Sequence, residues 1–210
     1  MIVVGLTGGI ASGKTEVAKI LRDLGAFIID ADEVSRAVVV PHSACWDKLV
    51  ASFGRDILCE NSTIDRKKLS QRIFNNPEQR IKLNRLIHPE INKHIEEELE
   101  LIKIRNTNAL VVIDAALLVE TGLYKKYDKL IVVHTREETQ LKRLMNRDSI
   151  SREEALSRIN SQLPLQEKLN AADIVIDNED NLTKTREAVK KVFKILSSMT
   201  SLQGNGSEKT

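Results

Sequence analysis

Aromatic residues make up only 3% of this 210-residue chain, too few for the stacking platforms on which unpaired nucleic-acid bases lie. Cysteine is scarce as well. Cys45 and Cys59 stand alone, without the paired spacing of a zinc site. Both read as small, semi-apolar side chains in a reducing compartment. No apolar run approaches the ~20 residues of a membrane span. The first residues read as a strand rather than as a basic region with a signal-like apolar stretch. Net charge is also small: 32 Lys and Arg against 30 Asp and Glu leave +2. That gives no overall attraction to nucleic acid or to an anionic membrane, and no internal repeat is evident. These absences predict a cytoplasmic protein that partners neither. What remains, 41% hydrophobic and 30% charged residues, is ordinary globular composition. The length suits one domain, with insertions, that buries a real core.

Glycine is concentrated where it matters. Of nine glycines, Gly5, Gly8, Gly9 and Gly13 fall within residues 2–22. Residues 2–6 are a continuous apolar run bounded by glycine and read as a short buried strand. Gly8 to Thr15 then fits the phosphate-loop pattern G-x-x-x-x-G-K-[ST]. Val17, Ala18, Ile20, Leu21 and Leu24 follow at helical spacing, and Gly25 supplies the stop. The pattern has a direct chemical reason. Polyphosphate needs several donors close together, and backbone N–H groups come that close only where side chains do not intervene. The exposed N–H groups of the next helix add positive charge. Lys14 is expected to reach the β- and γ-phosphates, and the Thr15 hydroxyl to ligate Mg²⁺. The loop, through Gly8, Gly9, Ala11, Ser12, Gly13, Lys14, Thr15 and Glu16, is expected to bind nucleotide.

Residues 26–30 read as a second strand that ends in Asp30-Ala31-Asp32. Ligands of open α/β sheets sit at that edge. Carboxylates there can accept a proton from an attacking hydroxyl or hold Mg²⁺ through water. One of the pair can instead cap the helix that begins near Glu33. Asp32 is the functional candidate, and Asp30 is as well suited to structure.

Residues 33–107 lack an obvious strand. Helices are predicted near 43–53, 65–74, 77–86 and 89–105, with Pro89 in a first turn and Asp65 as a cap. An insertion of this kind suits a second substrate. Arg36, Arg72 and His88 are candidate contacts, each with a solvated or structural role as the alternative.

Residues 109–114 form the next strand and close in Asp114. This resembles the second nucleotide motif of phosphate-loop proteins, whose Asp assists Mg²⁺. Residues 115–122 suggest a turn of helix. After a strand at 128–134, Thr135 with Glu138 forms a capping-box pattern, as does Ser151 with Glu154. Arg143 and Arg147 share a helix face, and Arg152 and Arg158 lie on or beside the next helix. Such arginines suit a closing lid that neutralises a transferring phosphoryl group; the alternative is an exposed charged helix pair. A fifth strand at 172–178 ends in Asn178. An amphipathic helix over 182–199 presents Val189, Val192, Phe193 and Leu196 on one face.

Strands alternating with helices predict an α/β fold. The expected form is a phosphate-loop NTPase with a five-stranded parallel sheet flanked by helices. Its core is expected over 1–32, 108–140 and 170–199, with a helical substrate-binding insertion at 33–107, a helical lid at 141–169 and a disordered tail at 200–210. The residues alone point to a phosphotransferase with a small acceptor. A nucleotide switch is the competing class, but the guanine-reading Asn-Lys-x-Asp does not occur.

Seven segments carry a more specific resemblance. They are Leu-Thr-Gly-Gly-Ile-Ala-Ser-Gly-Lys-Thr (6–15), Ile-Asp-Ala-Asp (29–32), Arg-Ile-Phe-Asn-Asn-Pro (72–77) and Ile-His-Pro (87–89). Leu-Leu-Val-Glu (117–120), Gln-Leu-Lys-Arg-Leu-Met-Asn-Arg-Asp (140–148) and Ala-Asp-Ile-Val-Ile-Asp-Asn (172–178) complete the set. In this order they make the chain similar to the dephospho-coenzyme A kinase family. The resemblance implies transfer of the ATP γ-phosphoryl group to the ribose 3′-hydroxyl of dephospho-coenzyme A. It implies Asp32 as base or hydroxyl-orienting residue, and Lys14 and Thr15 in the phosphate and Mg²⁺ roles. Arg143 matches the lid arginine, Arg147 joins it toward nucleotide, and Asn178 lies near the adenine. Arg36 and His88 fall in the region that matches the acceptor-binding helices. With the reading of the residues, Thr15, Asp32 and Asp114 are the candidate metal set and Arg36, Arg72 and His88 the candidate acceptor contacts. Two positions depart from the family pattern: Ala116 stands where Pro is usual, and Ala11 where Gly is more frequent. Other small-molecule kinases, for a nucleoside monophosphate or a sugar acid, remain the nearest alternative.

Overall fold

The computed structural model describes residues 1–74 and 76–204. Five strands form one sheet: β1 (Ile2–Gly8), β2 (Phe27–Asp30), β3 (Leu110–Asp114), β4 (Lys129–His134) and β5 (Ile174–Asp177). Their order is β2-β3-β1-β4-β5. The pairings of β1 with β3, β1 with β4, and β4 with β5 are all parallel. Parallel strands covered on both faces read as unbroken apolar runs. That is why 110–113 and 130–133 are buried throughout. The chain leaves β1 toward one side of the sheet and later returns to its other side, so the carboxyl end of β1 is a topological switch point where ligands bind.

The chain divides into two compact units, Met1–Ile29 with Ile102–Thr210, and Asp30–Leu101. In the first, α1 (Lys14–Asp23) buries Val17, Ala18, Ile20 and Leu21. They pack with Ile2, Val4, Leu6, Val112, Ile131, Val133, Val189 and Leu196. Gly25, at φ +106, ends α1. Gly25 N–H bonds to Arg22 O and Ala26 N–H to Leu21 O, a Schellman closure that glycine permits. The unit also holds α6 (Glu137–Asp148), α7 (Arg152–Asn160), α8 (Leu165–Ala171) and α9 (Leu182–Gly204). The second unit contains α2 (Ala31–Ala37), α3 (Ala44–Phe53) and α4 (Arg66–Phe74), and most of α5 (Pro77–Arg105). Its own core gathers Val39, Cys45, Leu49, Phe53, Ile57, Leu69 and Leu83. Each such side chain contributes ~1.5–3 kcal/mol on full burial. Among the described residues no helix is long and apolar enough to cross a membrane.

Four local expectations need correction. Thr135 does not cap α6: its hydroxyl donates to Asn178 O. Arg136 is the cap residue without a side-chain bond, and Glu179 takes over by accepting from the Arg136 N–H and the Thr139 hydroxyl. The second box is half formed. Ser151 Oγ accepts from the Glu154 N–H, whereas the Glu154 carboxylate turns to Arg158. Pro89 lies inside the single helix α5, not at the start of a new one. Arg85 and Pro89 are both exposed, so water can serve the carbonyl left without its N–H partner. Finally, α9 continues to Gly204, beyond the predicted end at 199; residues 205–210 of the expected tail lie outside the described residues.

Candidate active site

The phosphate loop is held by contacts from distant segments. Ser12 N–H bonds to Gly9 O at 3.0 Å, and Gly13 lies at φ +88 in the left-handed region. A Cβ at Gly13 would stand 2.0 Å from Asn178 Nδ2, so the close approach of that side chain needs glycine. Asn178 Nδ2 donates to Ser12 O at 2.8 Å, and its Oδ1 accepts from the Thr185 hydroxyl at 2.7 Å. Arg143 Nη2 donates to Asn178 O at 2.9 Å, while Nη1 reaches Thr135 Oγ1 at 3.3 Å and Ser12 O at 3.5 Å. Gln162, beyond α7, accepts from the Ile10 N–H at 2.7 Å. Behind the loop, Lys14 Nζ forms an ion pair with the buried carboxylate of Asp114 at the end of β3. The structure therefore brings together Gly8 to Lys14, Asp114, Arg143 and Asn178. Thr15 follows as an exposed residue of the first turn of α1, with Glu16 half-buried beside it.

Arg147 does not join this group. It is exposed and pairs with Asp148 at 2.7 Å, whose carboxylate raises the guanidinium pKa by accepting its hydrogen bond. Arg152 and Arg158 of α7 likewise meet acidic residues, Glu138 and Asp148 of α6 and Glu154 of their own helix.

In the second unit, Asp30 caps α2 by accepting from the Asp32 and Glu33 N–H groups, and Asp65 caps α4 from Lys67 and Lys68. Asp32 is exposed in the first turn of α2, with Arg36 four residues along the same face. Arg66 stands beside them, its Nη2 donating to Ser35 O at 3.4 Å. Burial lowers its pKa first, with Arg36 acting the same way and Asp32 opposing. Next to it lies a largely apolar cavity of about 190 Å³, lined by Ser35, Val39, Leu49, Leu69 and Leu83 among others. Arg72 is engaged structurally, donating to Phe53 O and pairing with Asp56 at 3.0 Å. His88 is half-buried, and burial pulls its pKa below the usual histidine value.

A sequence model of the dephospho-CoA kinase family matches residues 2–184. The chain belongs to that family. A dephospho-CoA kinase of Geobacillus kaustophilus is 44% identical over 193 residues, covering 92% of this chain and 96% of its own. A Thermus thermophilus structure superposes with a TM-score of 0.80 at 31% identity, covering 93% of this chain and 97% of its own. A dephospho-CoA kinase structure from Campylobacter jejuni gives 0.71 at 31% identity, covering 94% and 98%. The fold is thus the phosphate-loop kinase fold expected from the alternation of elements.

The departures from this family's pattern now have a physical setting. Ala11 takes φ +58, a left-handed conformation that costs a residue with a Cβ ~1–2 kcal/mol relative to glycine. Ala116 uses its carbonyl as acceptor for the Thr7 hydroxyl at 2.9 Å and Lys168 Nζ at 3.0 Å, bonds that a proline carbonyl could also accept.

The donors near the loop suit Mg²⁺. Among the described residues no cluster of three His, Cys, Asp or Glu could hold a metal. Mg²⁺ needs none, since it binds through one or two protein oxygens with phosphate and water completing its shell. The Thr15 hydroxyl and the Asp114 carboxylate are oxygen donors of that kind. Gln162, Thr185, Lys168 and Glu179 escaped the sequence analysis. Gln162, Lys168 and Glu179 act on residues far away in the chain, and Thr185 acts on Asn178 seven residues before it, across the loop between β5 and α9.

Proposed function

We infer that this chain transfers the γ-phosphoryl group of ATP to the ribose 3′-hydroxyl of dephospho-coenzyme A, the last step in making coenzyme A. The observation that carries this is a braced phosphate loop within a chain of the dephospho-CoA kinase family. The loop N–H groups and Lys14 bind the polyphosphate, with Asp114 fixing the ammonium. Arg143 leaves the 141–169 lid region to touch the loop backbone, which supports a role beside the transferring group. Such loose transition states spread charge over the phosphoryl oxygens, so positioned cations lower the barrier. Thr15 and Asp114 would hold Mg²⁺, which would supply charge neutralisation on the phosphates when bound. Asp32 accepts the proton of the attacking hydroxyl or orients it. The helical region over 33–107 receives the acceptor, with Arg36 and His88 as contacts. Arg72 is the weakest of these assignments, since Asp56 and Phe53 already engage it.

The test is steady-state phosphorylation of dephospho-coenzyme A by Mg·ATP, with AMP and shikimate as control acceptors. Turnover on dephospho-coenzyme A alone, lowered by about 10²–10³ in Lys14→Ala, is the expected result. Phosphorylation of a control acceptor instead, or of none while ATP still binds, overturns the assignment.

A further inference from the structure

Among the described residues, Lys168 is the largest fully buried side chain, at 0% exposure. Lysine is almost never found so deep unless it is paired. Its ammonium lies 2.6 Å from the Glu120 carboxylate and donates to Ala116 O at 3.0 Å. Both partners belong to the loop that leaves β3 directly after Asp114. The same Ala116 carbonyl accepts from Thr7 Oγ1, and Thr7, itself fully buried, immediately precedes Gly8. One carbonyl therefore joins the end of β1, the loop after β3 and α8. Around it Leu118, Leu130, Leu165 and Leu169 pack together. These apolar contacts already attach α8 to the loop. A buried ion pair adds little stability over a well-packed apolar replacement, so packing gives no reason for a charge at this position. A charge with two fixed acceptors supplies placement instead.

We propose that Lys168 is a positioning residue: through Ala116 and Glu120 it fixes the loop after β3, and so holds the Asp114 carboxylate in register with Lys14 and the phosphate loop. This rests on the Mg·ATP reading of the loop, and its signature is a change in how strongly Mg²⁺ promotes nucleotide binding. Groups that orient a ligand to a metal change affinity or activity by about 10–100-fold when lost.

The experiment compares Lys168→Met, the double variant Lys168→Met/Glu120→Gln, which removes both charges of the pair, and Thr7→Val, which cuts the other bond to Ala116 O. Calorimetric ATP affinity with and without Mg²⁺ is measured for each, beside thermal melting and kcat and KM with dephospho-coenzyme A. The double variant is expected to melt near the wild type. Its Mg²⁺ enhancement of ATP affinity and its kcat are expected to fall by about tenfold or more, with KM for the acceptor unchanged. Thr7→Val is expected to shift the same two quantities in the same direction by less. A double variant with wild-type Mg²⁺ enhancement and kcat would reduce Lys168 to packing, as would a Thr7→Val protein that is unchanged should the Lys168 variants fail to fold. A wild type that binds Mg·ATP but does not phosphorylate dephospho-coenzyme A would refute the acceptor assignment alone, and the binding data would still decide the role of Lys168.

Discussion

Asn178 Nδ2 donates to Ser12 O at 2.8 Å across 166 residues of sequence, so the residue that follows the last strand of the sheet braces the phosphate loop. Asn178→Ala removes this bond and the 2.7 Å acceptor of the buried Thr185 hydroxyl, which keeps only the longer contact to Asn181 O at 3.4 Å. Such a loss costs about 1–3 kcal/mol. A melting-temperature drop with a raised KM for ATP is expected, and a variant with wild-type values for both would show that the brace is idle.

Gly13→Ala meets two obstacles at once. The backbone is at φ +88, and the new Cβ would lie 2.0 Å from Asn178 Nδ2. Since the side chain must move and the conformation is strained, nucleotide affinity should collapse while the Asp30–Leu101 unit stays folded. Calorimetry with ATP and hydrogen exchange over the two units measure these separately.

Lys14→Ala and Arg143→Ala should each lower kcat by about 10²–10³, the range for one lost charge contact in a transition state. Arg143→Lys is a sharper probe. It keeps the charge but loses the fork that reaches Asn178 O, Thr135 Oγ1 and Ser12 O together, and a lysine is not equivalent at such a site. Its kcat should lie closer to the alanine variant than to the wild type.

Asp32→Asn should reduce kcat on dephospho-coenzyme A while ATP binding persists. Near-full turnover at every pH would dismiss the base role. Asp30→Asn keeps an acceptor oxygen for the α2 cap and should leave kcat almost unchanged.

Glu179 carries the clearest pH dependence. The Arg136 guanidinium first, then the Thr139 hydroxyl and the Arg136 N–H, push its carboxyl from 4.5 down to about 2. A depressed carboxylate stabilises the fold fully above its unfolded value, and that contribution is lost as pH falls through the folded value. The wild type should therefore lose melting temperature between pH 4.5 and 2 more steeply than Glu179→Gln. Parallel acid profiles for the two proteins would contradict the assignment.

These contacts also show what the sequence can reveal. Lys14 and Thr15 were legible because eight adjacent positions carry the whole motif. The Asp30 and Asp65 caps were legible because a cap and its N–H groups lie two or three residues apart. The Ile10–Gln162 and Ala116–Lys168 bonds were not, because 152 and 52 residues separate the partners. Thr135 shows the cost of local inference: it fits a capping box, but its hydroxyl donates to Asn178 O and accepts from Arg143, and Arg136 takes the cap position. Pro89 shows the same in reverse. The core residues Leu83 and Ile95 lie either side of it in one helix, and tertiary packing overrides the local break.

β1 pairs with residues 110–114 on one side and 129–133 on the other, and its loop then leans on Asn178. The nucleotide motif of residues 2–22 is therefore complete in sequence long before the segments that flank it are made. Contacts between distant stretches form late, after the intervening chain exists. A chain cut short before its fifth strand therefore carries the motif without the Asn178 that braces it.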